Sequence, residues 1–442
     1  MKTISLLIFS FFFFFSCVNK QEEKKKEQKE NLKTAAAIII HDIYSTPYSK
    51  VIPVSGTMSF SPTTGSKGSK TFSYNPSCSG VPGNEQFYFF EKKVEGSKNL
   101  LINFMGGGAC WDAKNCFGTN TVTYFNQLSR LNEVVIKYFA FGVFNDSQAD
   151  NPLRSYNKIF IPYCTGDIHW GSNDTEYTHP STGEKITLKH RGFDNFLATL
   201  DYIIKNYPSS NIEKIVVMGQ SAGGYGAIFN YPYIREKYSN SKFYLLSDAS
   251  NGVTSASFNK SYLDKWNALK NIPDWISGIN STTFTSISMG TVFKSIAENY
   301  SSDRISQYTT MFDGNQRYFY NVMLTIDSGK AYEDTKAMWG SSEGINVPDS
   351  ISCDWKSKML SNINTANAAI SDNYRYYIAP GDVHTITTDD TMFTVSSGTN
   401  NSVKFTDWLN AMLTDSSDWV NTKCSSCNPP ASTENKLSAL CP

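Results

Sequence analysis

The chain has 442 residues, enough to bury the core of one large α/β domain or of two smaller ones. Its 40 Lys and Arg balance its 40 Asp and Glu, so no polyanion-binding surface is indicated and nucleic acid is not an expected partner. Nine cysteines exclude the ordinary reduced cytosolic enzyme unless they bind metal.

Residues 1–17 read as a targeting segment. Lys2 is the basic start, Ile4 to Phe15 is an almost unbroken apolar run too short for a transmembrane helix, and Ser16-Cys17 resembles the end of a bacterial lipobox. Phe14 and Phe15 stand where that motif usually has Leu and a small residue, and an ordinary secretory signal cleaved nearby is the alternative. Lipidation of Cys17 with a diacylglyceryl group and an amide-linked acyl chain would give stable anchoring, which takes two or more chains. Residues 18–42 form a charged tether: Asn19 to Lys33 is dense in Lys, Glu and Gln and cannot bury a core. A single catalytic domain is expected over 43–442. With Cys17 set aside, Cys78, Cys110, Cys116, Cys164, Cys353, Cys424, Cys427 and Cys441 form an even set that suits disulfides in an oxidising compartment. Eight cysteines allow 105 pairings. Only Cys424-x-x-Cys427 looks like half a zinc site, so no metal is expected.

Folded structure is expected to start within 43–53, and Ser59 to Ser69 reads as a loop or hairpin tip. Gln86 to Glu91 and Asn99 to Met105 read as strands. The second runs into Gly106-Gly107-Gly108-Ala109-Cys110-Trp111, where glycines let backbone N–H groups approach a ligand closely. Lys158 to Cys164 is the next strand. Asp167, His169 and Trp170 follow it, and ligands in open α/β sheets sit beyond the carboxyl ends of strands. These three are therefore candidates for substrate contact, the alternative being a structural loop closed by a Cys164 disulfide.

Arg191 to Asn206 carries Phe193, Phe196, Leu197, Leu200, Ile203 and Ile204 at helical spacing. Lys214 to Met218 is a strand that stops at Gly219-Gln220-Ser221-Ala222-Gly223-Gly224, followed by the helix-compatible Tyr225 to Phe229. This is the context of a nucleophile elbow: glycines at 219 and 223 remove side chains that would clash in a sharp strand-to-helix turn, and Ser221 is left exposed. Lys242 to Leu246, Arg304 to Phe312 and Tyr374 to Ile378 are further strands, and Phe405 to Leu413 is a short amphipathic helix. The segment 257–299 reads as a loop-rich cap or helical insertion. Strands alternating with helices predict an α/β fold with a mostly parallel central sheet flanked by helices, of α/β-hydrolase-like type given the elbow.

A serine hydroxyl is a poor nucleophile unaided, so Ser221 needs a base, an orienting carboxylate and an oxyanion hole. In elbow enzymes the chain order is serine, acid, histidine. Of five histidines only His384 lies downstream of Ser221, and it follows a strand on a Gly-containing loop. Asp248, Asp313 and Asp327 all follow apolar or aromatic runs and are open as the acid. Asp313 ends the second strand after the elbow, the usual acid position.

Gly-Gly-Gly-Ala-Cys-Trp at 106–111, Tyr163-Cys164 with Gly166-Asp167, His190-Arg191-Gly192, Gly219 to Gly224, Ser247-Asp248-Ala249 and Phe312-Asp313-x-x-Gln316 occur in this order. The ordered set resembles the pectin acetylesterase family over roughly residues 80–390. The resemblance implies an α/β-hydrolase-like serine carboxylesterase without a cofactor. Ser221, Asp313 and His384 would be its catalytic residues, and Gly107, Gly108 and Ala222 its oxyanion donors. Gly108-Ala109 stands where relatives often carry a bulky aromatic, and Val383-His384 lacks the cysteine found beside the histidine of plant members. The expected function is a secreted or surface-anchored esterase that removes O-acetyl groups from polysaccharide of the pectin type. A fatty-acyl or lipid deacylase of the Notum type and a non-catalytic glycan-binding lipoprotein are the alternatives. The expected partner is an acetylated polysaccharide or another ester, with membrane contact only through Cys17.

Overall fold

The computed structural model describes residues 48–62, 68–80, 85–117, 123, 124, 128, 139–331, 333, 347–427 and 441. Contacts divide the chain into Met1–Pro47 and Tyr48–Pro442. The targeting segment, Cys17 and the charged tether lie outside the described residues, and the fold is that of the second unit.

Nine of the described strands form the central sheet: β1 Tyr48–Val51, β2 Phe89–Lys92, β3 Asn99–Phe104, β4 Asn157–Ile161, β5 Lys214–Gln220, β6 Lys242–Asp248, β7 Arg304–Thr310, β8 Tyr374–Ala379 and β9 Thr422–Lys423. Their order in space is β1-β2-β4-β3-β5-β6-β7-β8-β9. The β1–β2 and β2–β4 pairings are antiparallel, and every pairing from β4 to β9 is parallel. The mostly parallel sheet read from the sequence is present. Its central strands are covered on both faces and so need unbroken apolar runs. Leu100-Leu101-Ile102 in β3 and Ile215-Val216-Val217-Met218 in β5 supply them, each residue 0% exposed.

The chain leaves β3 for β4 on one side and then returns to β5 on the other. Loops leaving β3 and β5 therefore diverge, which opens a crevice at the carboxyl ends of these strands. Phe104 of β3 pairs with Gly219 of β5, so the triple-glycine loop and the elbow start side by side.

Seven longer helices accompany the sheet: α1 Gly192–Asn206, α2 Ala222–Arg235, α3 Ala256–Trp266, α4 Met289–Asn299, α5 Gly314–Asp327, α6 Asp349–Asn367 and α7 Phe405–Leu413. The elbow helix α2 packs on β3, β5 and β6. The expected cap segment holds α3 and α4, each started by a serine whose hydroxyl accepts a backbone N–H: Ser255 from Phe258 at 3.2 Å and Ser288 from Thr291 at 3.1 Å. Helix α4 packs on α6, and α6 on α5.

Several elements escape the sequence reading, among them α5, α6 and one hairpin. In α6 the buried residues Ser352, Trp355, Met359, Ile363 and Ala366 follow one helical stripe, but polar residues crowd between them. The hairpin Asn173–Thr178 with Lys185–His190 buries Thr175 and Tyr177 and exposes Asp174 and Glu176, a short alternation hidden in a polar stretch.

All eight cysteines after Cys17 are paired: Cys78–Cys164, Cys110–Cys116, Cys353–Cys441 and Cys424–Cys427. The half zinc motif closes on itself as a disulfide. Cys78 and Cys164 are 86 residues apart, so their bridge restricts the unfolded chain strongly. Replacing both by Ser is expected to lower the unfolding free energy by about 4–5 kcal/mol, read from urea unfolding of the oxidised proteins. An unchanged midpoint would contradict this.

Candidate active site

Strand β5 ends at Gln220 and α2 begins at Ala222, so Ser221 makes the whole turn alone, with φ 54° and ψ −123°. A non-glycine residue is held there only when its surroundings fix it, at a cost of roughly 1–3 kcal/mol. The fixing bonds are present. Ser221 N–H donates to the Asp248 carbonyl at 2.8 Å, and the Ser221 carbonyl accepts from Gly224 N–H at 2.9 Å and from Ser250 Oγ at 2.6 Å. Gly223 is obligatory because a Cβ on it would lie 1.9 Å from the Phe104 carbonyl oxygen.

Beside the elbow, the loop after β3 is clamped from several directions. The Ala109 carbonyl accepts from Thr123 Oγ1 at 3.0 Å and from Asn115 Nδ2 at 3.2 Å, while Asn115 Oδ1 accepts from the N–H groups of Trp111 and Asp112. The Cys110–Cys116 disulfide closes this turn, and Trp266 Nε1 donates to the Cys110 carbonyl at 2.9 Å. At Gly108 φ is +78°, and a Cβ would lie 1.8 Å from the Thr123 carbonyl oxygen. Ala109 N–H is engaged by Thr123. Among the described residues, the N–H groups of Gly107, Gly108 and Ala222 have no acceptor. Gly108 and Ala222 line one cleft with Ser221, whereas Gly107 is not part of its lining.

His384 lies five residues beyond β8, and its Nδ1 is 2.8 and 2.9 Å from the two oxygens of Asp313. An ionised carboxylate only accepts, so Nδ1 carries the proton and Nε2 keeps its lone pair. Nε2 is buried without a hydrogen-bond partner, and His384 lines the same cleft as Ser221. Asp313 is fully buried at the start of α5. It is held from behind by Gln316, whose N–H donates to Oδ1 at 2.9 Å and whose Nε2 donates to Oδ2 at 3.0 Å. Burial pulls the His384 pKa down, but the Asp313 charge and hydrogen bond, with a smaller push from Asp248, outweigh it and leave the imidazole above its ordinary value.

The three candidate acids are thereby separated in space. Asp313 faces His384. Asp248 is fully buried and accepts from Ile386 and Thr387. Asp327 sits exposed at the end of α5.

The proposed rim residues need correction. Asp167 is 0% exposed, outside the cleft lining, and accepts from Thr165 Oγ1 and from the N–H groups of His169, Gly171 and Gly192. Burial lifts its pKa to about 6 against the pull of those bonds. His169 is also 0% exposed, and burial lowers its pKa to about 4. The neutral ring donates through Nε2 to the Met105 carbonyl at 2.9 Å, bracing the base of the triple-glycine loop. The loop itself borders the cleft, since Ile168 and Trp170 line it, while the alternate residues Asp167 and His169 are buried off the lining; φ is left-handed at Ile168 (49°) and His169 (63°). Trp170 does line the cleft, with its Nε1 on the Tyr225 carbonyl.

Residues absent from the sequence reading build most of the cleft. Phe258 comes from α3, Met289 and Val292 from α4, Phe319 from α5 and Trp355 from α6. The cleft measures about 910 Å³ out to its open mouth. The helical stripe of α6 was the available signal for Trp355.

Replacing Asp313 by Asn removes the two larger causes that hold the His384 pKa up and leaves burial, which lowers it, opposed only by the smaller push from Asp248. The imidazole titration, followed by NMR, is expected to have its midpoint above 6.5 in the native protein and to fall in Asp313→Asn. An unmoved midpoint would separate His384 from Asp313 energetically.

The chain is 24% identical over 160 residues to the palmitoleoyl-protein carboxylesterase NOTUM of Schmidtea mediterranea, a match that takes in 36% of this chain and 28% of that protein. Two crystal forms of the Wnt deacylase Notum from Drosophila superpose with TM-scores of 0.55 and 0.53. They are 13% identical, cover 85% and 87% of this chain, and are themselves covered over 99% and 98% of their length. That likeness carries the fold. Residues 78–429 match the model of the pectinacetylesterase family, and the chain belongs to that family.

Proposed function

We propose that the protein is a serine carboxylesterase with Ser221 as nucleophile, His384 as base and Asp313 as orienting acid. The observation that carries this reading is the unpartnered Nε2 of His384, buried beside a cleft that Ser221 also lines, with Nδ1 fixed by Asp313. Nε2 takes the Ser221 proton as the serine oxygen attacks the ester carbonyl, and the imidazolium forms against the Asp313 charge. The tetrahedral oxyanion rests on N–H groups of the 107–108 loop and of Ala222. Each such donor typically contributes about 3–4 kcal/mol to the transition state. The imidazolium protonates the leaving alcohol, and His384 then activates the water that releases the acid.

The acyl group is read from the walls. Trp111, Phe258, Phe284, Met289, Phe319 and Trp355 give the cleft beside Ser221 a predominantly apolar wall that extends beyond what an acetyl group would touch. An apolar chain of several carbons gains roughly 0.8 kcal/mol for each methylene buried there. This supports fatty-acyl ester hydrolysis, in line with the names of the Schmidtea and Drosophila relatives. The second reading, deacetylation of polysaccharide, is favoured by the family and by Thr254, Asn259 and Asn315, which suit a hydroxyl-rich alcohol at the cleft. The four disulfides fit an oxidising compartment. Tethering through lipidated Cys17 would hold the enzyme at a membrane surface there.

Hydrolysis of p-nitrophenyl esters tests both parts. Ser221→Ala is expected to lose roughly 10⁴-fold or more in kcat. In the native enzyme kcat/KM is expected to rise ~10-fold or more from acetate to octanoate, as buried methylenes contribute. A preference for acetate would return the substrate to acetylated polysaccharide.

A further inference from the structure

We propose that Asp248 is a positioning residue of this site, one that sets the base against the nucleophile; the proposal rests on the Ser221–His384 reading above. Asp248 is the last residue of β6 and is 0% exposed. Its two polar ends serve two different catalytic segments. The backbone carbonyl accepts the N–H of Ser221 at 2.8 Å, fixing the strained turn of the elbow. The carboxylate Oδ2 accepts from Ile386 N–H at 2.9 Å, Thr387 N–H at 2.9 Å and Thr387 Oγ1 at 2.6 Å. Those donors lie two and three residues beyond His384. One rigid residue at a strand end therefore spans from the nucleophile to the loop that carries the base.

That loop needs holding. Thr385, between His384 and the clamped residues, has φ +62°, a conformation unfavourable for a β-branched side chain. Without the carboxylate, the N–H groups of Ile386 and Thr387 would be buried donors lacking an acceptor, and the loop could relax toward ordinary backbone geometry. His384 would move with it.

A second set of bonds ties the clamp to the remaining catalytic segment. Gln220, the residue before Ser221, donates through Nε2 to Thr387 Oγ1 at 2.9 Å and to Asn103 Oδ1 at 2.7 Å. Asn103 lies on β3, which leads into the triple-glycine loop. Asn103, Gln220, Thr387 and Asp248 thus form one buried chain beneath the oxyanion loop, the elbow and the base loop. Among the described residues no Lys or Arg pairs with Asp248; oriented N–H and O–H dipoles offset its burial in part, and burial still lifts its pKa to about 6. The titratable groups that feel it are His384 and Tyr308. Its charge favours the imidazolium that forms as Ser221 is deprotonated.

The test compares Asp248→Asn, Thr387→Val, Asp313→Asn and Ser221→Ala with the native full-length chain on p-nitrophenyl butanoate, with thermal unfolding reporting on folding. Asp248→Asn is expected to lose ~100-fold in kcat with KM changed less than about threefold, the signature of a misplaced catalytic group. The acid limb of its kcat/KM profile is expected to move to lower pH, because a negative charge near the imidazolium is gone. A residue that only stabilised the fold would not move that limb. Thr387→Val, which keeps both backbone N–H bonds, is expected to lose ~10-fold in kcat. A folded Asp248→Asn with native kcat and an unmoved acid limb overturns the proposal. Should Asp248→Asn fail to fold, native kcat in Thr387→Val overturns it instead. Greater damage from Asp248→Asn than from Asp313→Asn, with the His384 titration insensitive to Asp313, would make Asp248 the acid and overturn the positioning role. Full activity in Ser221→Ala would reject the esterase reading itself, and the positioning role with it.

Discussion

The structure depends on one close approach of backbone to backbone. The turn around Ser221 lies against the end of β3 so tightly that a single methyl on Gly223 would meet the Phe104 carbonyl at 1.9 Å. This contact brings together two segments that the topology would otherwise send apart, since the chain leaves β3 and β5 in opposite directions. It places the N–H groups of the triple-glycine loop beside the serine hydroxyl. The left-handed conformation of Ser221 follows from the same constraint, because no other backbone path turns the strand into α2 within one residue.

Three buried aspartates show how one residue type takes different parts according to its donors. Asp313 accepts the imidazole Nδ1–H and so orients the ring whose other nitrogen faces the cleft. Asp248 accepts backbone N–H groups and a hydroxyl, and so fixes a loop. Asp167 does likewise beneath the site, where its carboxylate receives three backbone N–H groups and Thr165 Oγ1, and its fully buried neighbour His169 braces Met105. An isolated buried charge would be costly, and each of these is surrounded by oriented donors instead.

Much of the sheet was legible because buried parallel strands must be continuous apolar runs. Ile215 to Met218 carries that signature without interruption and Tyr374 to Ile378 carries it apart from Arg375, and the structure has β5 and β8 there. The elbow was legible because few residue patterns permit so sharp a turn. Asp167 and His169 misled because a polar residue after a strand looks the same in sequence whether its side chain faces the cleft or the interior. Their loop neighbours Ile168 and Trp170 line the cleft, and left-handed torsions at Ile168 and His169, which leave no mark in residue type, go with that alternation. The acid was ambiguous for a related reason: Asp248 ends β6 and Asp313 follows β7 by three residues, and only the partners of each carboxylate separate them. The cleft walls were illegible because α3, α4, α5 and α6 contribute one to four side chains each, from positions scattered over about a hundred residues.

In the proposed enzyme a strained serine, a partnered histidine and an apolar cleft make one hydrolytic site. Reaction with a fluorophosphonate, which modifies only an activated serine hydroxyl, addresses that claim without any choice of substrate. Peptide mapping by mass spectrometry is predicted to find one adduct per chain, on Ser221, and none after replacement of His384 by Ala. An adduct on another serine, or an unreactive Ser221 in the folded native protein, would contradict it.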